Sequence, residues 1–160
     1  MNTVLRYPGS KWRIADQLVS NIPEHKSYLE PYFGSGAVLF NKPPSPIETI
    51  NDLDDDVINL FQCIRDHSQQ LAAMIAAIPY SRKVYDSQFS IVSKDPVDKA
   101  CAFLIKCWQG YGFKTSGIKT GWKRDKTGRE RAYNLSNWYH LPEWIEEIAE
   151  RLRNIQIEHK

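Results

Sequence analysis

The run YLEPYFGSGAVLFNK, residues 28–42, decides how the chain is read. Its opening, Tyr28-Leu29-Glu30, suits a short, largely buried strand. Gly34 and Gly36 then supply the freedom for a tight turn and let backbone N–H groups approach a ligand. Ala37 to Asn41 begins a helix that Lys42-Pro43-Pro44 stops within about two turns. Beyond it, Ile47 to Asn51 reads as a second strand, and Asp52 follows 22 residues after Glu30. In a nucleotide-binding α/β fold an acid at that place meets ribose hydroxyls. Taken alone, the same residues also suit a tight turn followed by a helix cap. The slot that carries a third glycine in dinucleotide folds holds Leu39, which argues against a pyrophosphate and against a small dehydrogenase. An adenosine cofactor without pyrophosphate fits better, and S-adenosyl-L-methionine is such a cofactor.

Working outward, VLRYPGS is an extended piece and turn. It leads into a helix bearing Trp12, Ile14, Ala15, Leu18 and Val19, with Ser10 as its expected cap. From Asp54, Val57, Leu60, Phe61 and Ile64 recur at helical spacing behind the acidic run DLDDD, which suits a helix N-terminus and no metal. Leu71, Met74, Ile75 and Ile78 form a second stripe, ended by Pro79. Asp95-Pro96 starts another helix, with Val97, Cys101, Leu104, Ile105 and Trp108 on one side. Ile145, Ile148 and Leu152 mark a last helix, with Pro142 expected in its first turn. The tail NIQIEHK opens a third strand.

With 160 residues, the chain has the length of one domain with a sizeable core. Its 42% hydrophobic and 25% charged residues exclude a disordered polymer. No apolar run approaches membrane-spanning length and the first residues lack a signal peptide's apolar segment, so a cytoplasmic location without membrane contact is expected. Cys63, Cys101 and Cys107 match no zinc ribbon and suit free thiols.

Three blocks carry a family resemblance: RYPGSK (6–11), YLEPYFGSGAVLFNK (28–42) and INDLDDDVINLF (50–61). In this order they resemble the opening of the D12-class, Dam-like DNA adenine N6-methyltransferases. The resemblance implies a partial class I adenosylmethionine-dependent methyltransferase sheet, Rossmann-like, with a helical and loop DNA-recognition insertion. It implies that Tyr7 and Lys11 line the cofactor and active-site side. Glu30, Phe33, Gly34 and Gly36 would form the cofactor turn, and Asp52 would hold the ribose. Tyr7 and Phe33 offer flat surfaces suited to adenine or the methionine moiety, although Phe33 serves a core equally well.

The segment GYGFKTSGIKTGWKRDKTGRERAYN contains five glycines and shows no sustained period, so it reads as a long loop or loose hairpin. Lys114, Lys119, Lys123, Arg124, Lys126, Arg129 and Arg131 face only Asp125 and Glu130 within it. Such a loop, with Tyr111, Phe113, Trp122 and Tyr133 in or beside it, suits either a nucleic-acid backbone with stacked bases or a solvated surface. With the resemblance added, Lys119, Lys123, Arg124 and Arg129 are the expected contacts to double-stranded DNA carrying a flipped adenine.

The family presents its acceptor and aromatic ring on a D-P-P-Y type motif. The sequence has none: Pro43-Pro44 follows Lys42, and Asp95-Pro96 is followed by Val97. Residues 1–66 are thus expected to be methyltransferase core, 67–142 the target-recognition region and 143–160 a return to the core. No catalytic residue is assigned, and the chain is expected to be a truncated, inactive part of a site-specific enzyme of phage or prokaryotic type. The rival readings are a non-catalytic DNA-binding module and another nucleotide-cofactor enzyme.

Overall fold

A computed structural model of the chain describes residues 1–90, 92–112, 117–124 and 134–160. Three parallel strands form one sheet in the order β1 (Ser27–Glu30), β2 (Ile47–Asn51), β3 (Gln156–Glu158). The register sets Glu30 opposite Ile50 and Asn51 opposite Glu158. The α/β expectation therefore stands, with the third strand where NIQIEHK begins. Alternation along β2 buries Glu48 and Ile50 on one face, while Ile47 and the β1 residue Leu29 lie exposed on the other.

Six α-helices accompany the sheet among the described residues: α1 (Ala15–Ser20), α2 (Ala37–Asn41), α3 (Asp55–Ala77), α4 (Arg82–Ser87), α5 (Pro96–Gln109) and α6 (Asn134–Leu152). The long helix α3 packs against α5 and α6. Its start is set by Asp54, whose carboxylate accepts the N–H groups of Asp56 and Val57. The two apolar stripes expected here belong to this one helix. A kink at His67, with φ −137° and ψ 30°, re-aims the second stripe toward the same core. Asp95 caps α5 in the same way, ahead of Pro96 in the first turn.

Two expectations are corrected. Ser10 caps no helix: a 3-10 turn, Trp12–Ile14, precedes α1, and the Ser10 hydroxyl is engaged with Ser35 at 2.8 Å. Pro142 lies inside α6 and not in its first turn. The buried set Trp138, Leu141, Ile145, Ile148 and Leu152 continues at spacings of three and four through the proline. An interior proline disfavours a helix by about 3 kcal/mol. Burying Trp138 and Leu141 upstream of it gains roughly 1.5–3 kcal/mol for each large apolar side chain. Packing wins, and the helix starts earlier than propensity suggests.

Among the described residues of the segment after α5, an antiparallel bridge joins Gly110 and Trp122. Tyr111 N–H donates to the Gly121 carbonyl and Lys123 N–H to that of Gln109, both at 2.7 Å. A loose hairpin is thus present at its base. All three cysteines are free and buried.

Candidate functional site

Because β1 and β2 are adjacent and parallel, their carboxyl ends bring Glu30 and Asp52 to the same edge of the sheet. The chain between β1 and α2 turns through Gly34 (φ +51°) and Gly36 (φ +68°), a backbone region that glycine enters without strain. Gly34 N–H donates to Asp52 Oδ2 at 2.7 Å, and Asp54 N–H donates to Asp52 Oδ1 at 3.0 Å. Phe33 N–H donates to the Asn51 carbonyl at 3.0 Å. The turn after β1 is thereby tied to the segment leaving β2.

Gly36 has a reason of its own. A Cβ there would lie 2.4 Å from the Phe40 ring and 2.5 Å from that of Phe33. Phe33 is buried, with its ring edge-on to Phe61 at 4.7 Å between centroids. The ring thus supports the turn from the core side. Having no side chain, Gly36 cannot cap α2. Glu30 reaches across instead, its Oε2 accepting Leu39 N–H at 3.0 Å and the Tyr28 hydroxyl at 3.1 Å. Burial pushes the Glu30 carboxyl up to about 7, against the opposing pull of these two donors and of Lys11 and Lys42.

The N-terminal block closes the other side. The Tyr7 ring lies over Gly34, whose Cβ would meet its Cδ1 at 3.3 Å, and the Tyr7 hydroxyl donates to Asp54 Oδ2 at 2.9 Å. Burial, with Asp54 next, raises the pKa of this phenol. Trp108 Nε1–H donates to the Val4 carbonyl at 2.8 Å, which anchors the same segment to α5. Between the N-terminal block and the glycine turn lies a cleft of about 310 Å³. Tyr7, Lys11, Glu30, Phe33, Gly34 and Asp52 all line it, and Gly36 does not.

A family model described as D12 class N6 adenine-specific DNA methyltransferase matches residues 7–160. The chain belongs to this family. Over 126 residues it is 26% identical to a DNA N-6-adenine-methyltransferase of Escherichia phage P1. That match covers 68% of this chain and 15% of the phage protein's length. The match thus spans a small part of this relative's length.

The described cations of the basic loop are presented differently from one another. Lys119 Nζ pairs with Asp86 Oδ1 at 2.8 Å, which turns its charge toward α4. Lys123 lies near the Tyr111 ring, 6.0 Å from its centroid, and Arg124 is exposed. Arg129 lies outside the described residues, as do Lys114, Lys126, Arg131, Phe113 and Tyr133. Sequence reading passed over Tyr32 and Ser35, and read Asp54 as a helix start without its bond to Tyr7. Tyr32 lines the cleft and is 82% exposed, and Ser35 joins the two blocks through Ser10. The one available signal was position, since all three fall within the family-like blocks.

Proposed function

We propose that the cleft is the S-adenosyl-L-methionine site of a site-specific DNA adenine N6-methyltransferase. The observation that carries the reading is the 2.7 Å bond from Gly34 N–H to Asp52, which joins two strand ends directly beside the cleft. The residues present fit such a donor. About 310 Å³ lies at the lower end of the range for small-molecule sites. Asp52 accepts two N–H bonds and retains lone pairs for a ribose hydroxyl.

In this reading the sheet is part of a Rossmann-like class I methyltransferase core, with residues 1–66 as core, 67–142 as target recognition and 143–160 as its return. Asp52 orients the ribose, Tyr7 and Tyr32 offer ring surfaces, and Lys11 and Glu30 set the charge at the methionine side. Phe33 and Gly36 hold the turn from beneath. When bound, the donor supplies an electrophilic methyl group. The acceptor is a DNA adenine flipped from the duplex, so that its N6 reaches that methyl in line. Residues 1–160 contain no acid-Pro-Pro-aromatic motif to hold the amine, so none of them is given the catalytic role. A cytoplasmic setting belongs to the same proposal; among the described residues no helix is long and apolar enough to cross a membrane.

Titration calorimetry with adenosylmethionine and, separately, with NAD tests the donor assignment. Adenosylmethionine binding that weakens in Asp52→Asn supports it. That substitution keeps one carbonyl acceptor for a backbone N–H and removes the charge. Tight NAD binding without adenosylmethionine binding overturns it.

A further inference from the structure

We propose that Asp86 is an internal stand-in for a DNA phosphate: it holds Lys119 in the free protein and yields it to the backbone of the duplex. This rests on the DNA methyltransferase reading above. Asp86 sits in the last turn of α4, an end of a helix that disfavours an anion. Its partner is Lys119 of the basic segment, whose Nζ lies 2.8 Å from Asp86 Oδ1. The same ammonium is 5.7 Å from the centroid of the Phe89 ring, and Lys106 Nζ of α5 is 5.3 Å from it. Two cations thus converge on one aromatic side chain, with a carboxylate at one of them. A phosphodiester offers the same negative charge and the same kind of acceptor oxygen as that carboxylate.

Neutral bonds fix the backbone here without help from the ion pair. The Tyr85 hydroxyl donates to the Thr120 carbonyl at 2.8 Å, and the Tyr80 hydroxyl to the Lys123 carbonyl at 2.9 Å. Gly110 permits the close approach: a Cβ there would lie 2.9 Å from the Tyr85 hydroxyl and 3.0 Å from Thr120 Oγ1. Residues 118–123 therefore stay docked on α4 when the side chains of Asp86 and Lys119 part. Exposure permits the exchange. The Lys119 and Asp86 side chains are 49% and 43% exposed, so a phosphate reaches the ammonium from solvent. An exposed pair of this kind is weak enough to be replaced. The Lys42–Glu48 pair, being buried, is closed to any such replacement.

The test is fluorescence anisotropy of a labelled adenine-containing duplex, titrated with the full chain across a series of salt concentrations. Asp86→Asn keeps the size of the side chain and removes its charge. It is expected to bind about two- to fivefold more tightly, with a salt slope no shallower than wild type. Lys119→Gln is expected to bind more weakly, with a log–log salt slope shallower by about 0.9. The double variant is expected to match Lys119→Gln, because the carboxylate acts through that lysine alone. Glu150→Gln makes the same charge change at an exposed pair with Arg153 on α6 and is expected to match wild type. Circular dichroism melting verifies that each variant is folded. Unchanged or weaker binding by Asp86→Asn, or a wild-type slope in Lys119→Gln, overturns the exchange while leaving the donor reading intact. Equal tightening in Glu150→Gln, or in the double variant relative to Lys119→Gln, also overturns it, since the effect is then bulk charge. Absence of duplex binding by wild type at low salt overturns both the exchange and the DNA reading.

Discussion

Arg151, in the last turn of α6, grips both carboxylate oxygens of Glu48 on β2, with Nη1 to Oε2 at 2.5 Å and Nη2 to Oε1 at 2.9 Å. Lys42 completes the pairing, its Nζ 2.6 Å from Glu48 Oε1 and bonded to the Pro43 carbonyl and the Ser45 hydroxyl. The Glu48 side chain is 3% exposed, so neither cation is screened by bulk water. The network joins the end of α2, the middle strand and the final helix at the edge of the sheet away from the cleft. Removing one partner of a buried pair leaves an uncompensated charge and is destabilising by about 3–5 kcal/mol. Arg151→Met is expected to lose stability in that range in urea denaturation, while donor affinity per folded molecule is retained.

The same carboxylate sets an acid limit. Burial alone raises a carboxyl, but Arg151 and Lys42 outweigh it and hold Glu48 down at about 2. A folded-state pKa below the unfolded value means that the stabilisation is present above about pH 4.3 and is lost as pH falls toward 2. Thermal melting of Glu48→Gln against wild type is expected to show a difference at neutral pH that narrows across this acid window.

Glu30 has the opposite sign. Its carboxyl is held near 7 by burial, so the unfolded chain releases this proton first, and stability declines as pH rises from about 4.3 to 7. Glu30→Gln keeps an acceptor for Leu39 N–H and removes the titration. Its melting temperature is expected to gain on wild type across that interval and to hold a constant lead above it. Lys11 pulls the same pKa down, so Lys11→Met is expected to move the Glu30 carbon-13 carboxyl titration upward.

The two turn glycines are expected to differ. Gly36→Ala meets two aromatic rings and a positive φ together, whereas Gly34→Ala has the positive φ and one Tyr7 contact at 3.3 Å. Left-handed strain is roughly 1–2 kcal/mol and overpacking adds about 1–3 kcal/mol. Denaturation is expected to show Gly36→Ala as the more destabilised. Gly34→Ala is expected to lose more donor binding relative to its stability, because Gly34 lines the cleft and Gly36 does not.

Activity is the remaining prediction. In the proposed reading the cleft residues orient a donor, and residues 1–160 contain no acid-Pro-Pro-aromatic motif to hold an adenine amine. Misplacement of a reacting atom by about 1 Å lowers a rate by roughly 10²-fold. Tritiated adenosylmethionine and adenine-containing duplex are expected to yield no N6-methyladenine above background with the 160-residue chain. Robust product requires another residue of this chain to hold the amine.

The local order of the site was written in the sequence: strand, Gly34-Ser35-Gly36 turn, short helix, strand, acid. Caps, breakers and glycines act over a few residues, so Asp54, Asp95, Gly36 and Pro43 announce themselves where they act. The family is legible in three blocks in order. Other decisions belonged to contacts between distant residues. Nothing local shows that Ser10 pairs with Ser35, that Glu30 caps a helix beginning seven residues after it, or that Phe33 packs its ring against Phe61. The two stripes of α3 became one kinked helix because α5 and α6 cover both, and α6 ran through Pro142 because burial of Trp138 and Leu141 outweighs one lost hydrogen bond. Lys42, Glu48 and Arg151 each look solvated in the sequence. They form a buried network only because the parallel register of the sheet and the packing of α6 bring residues 103 positions apart into contact and exclude water around them.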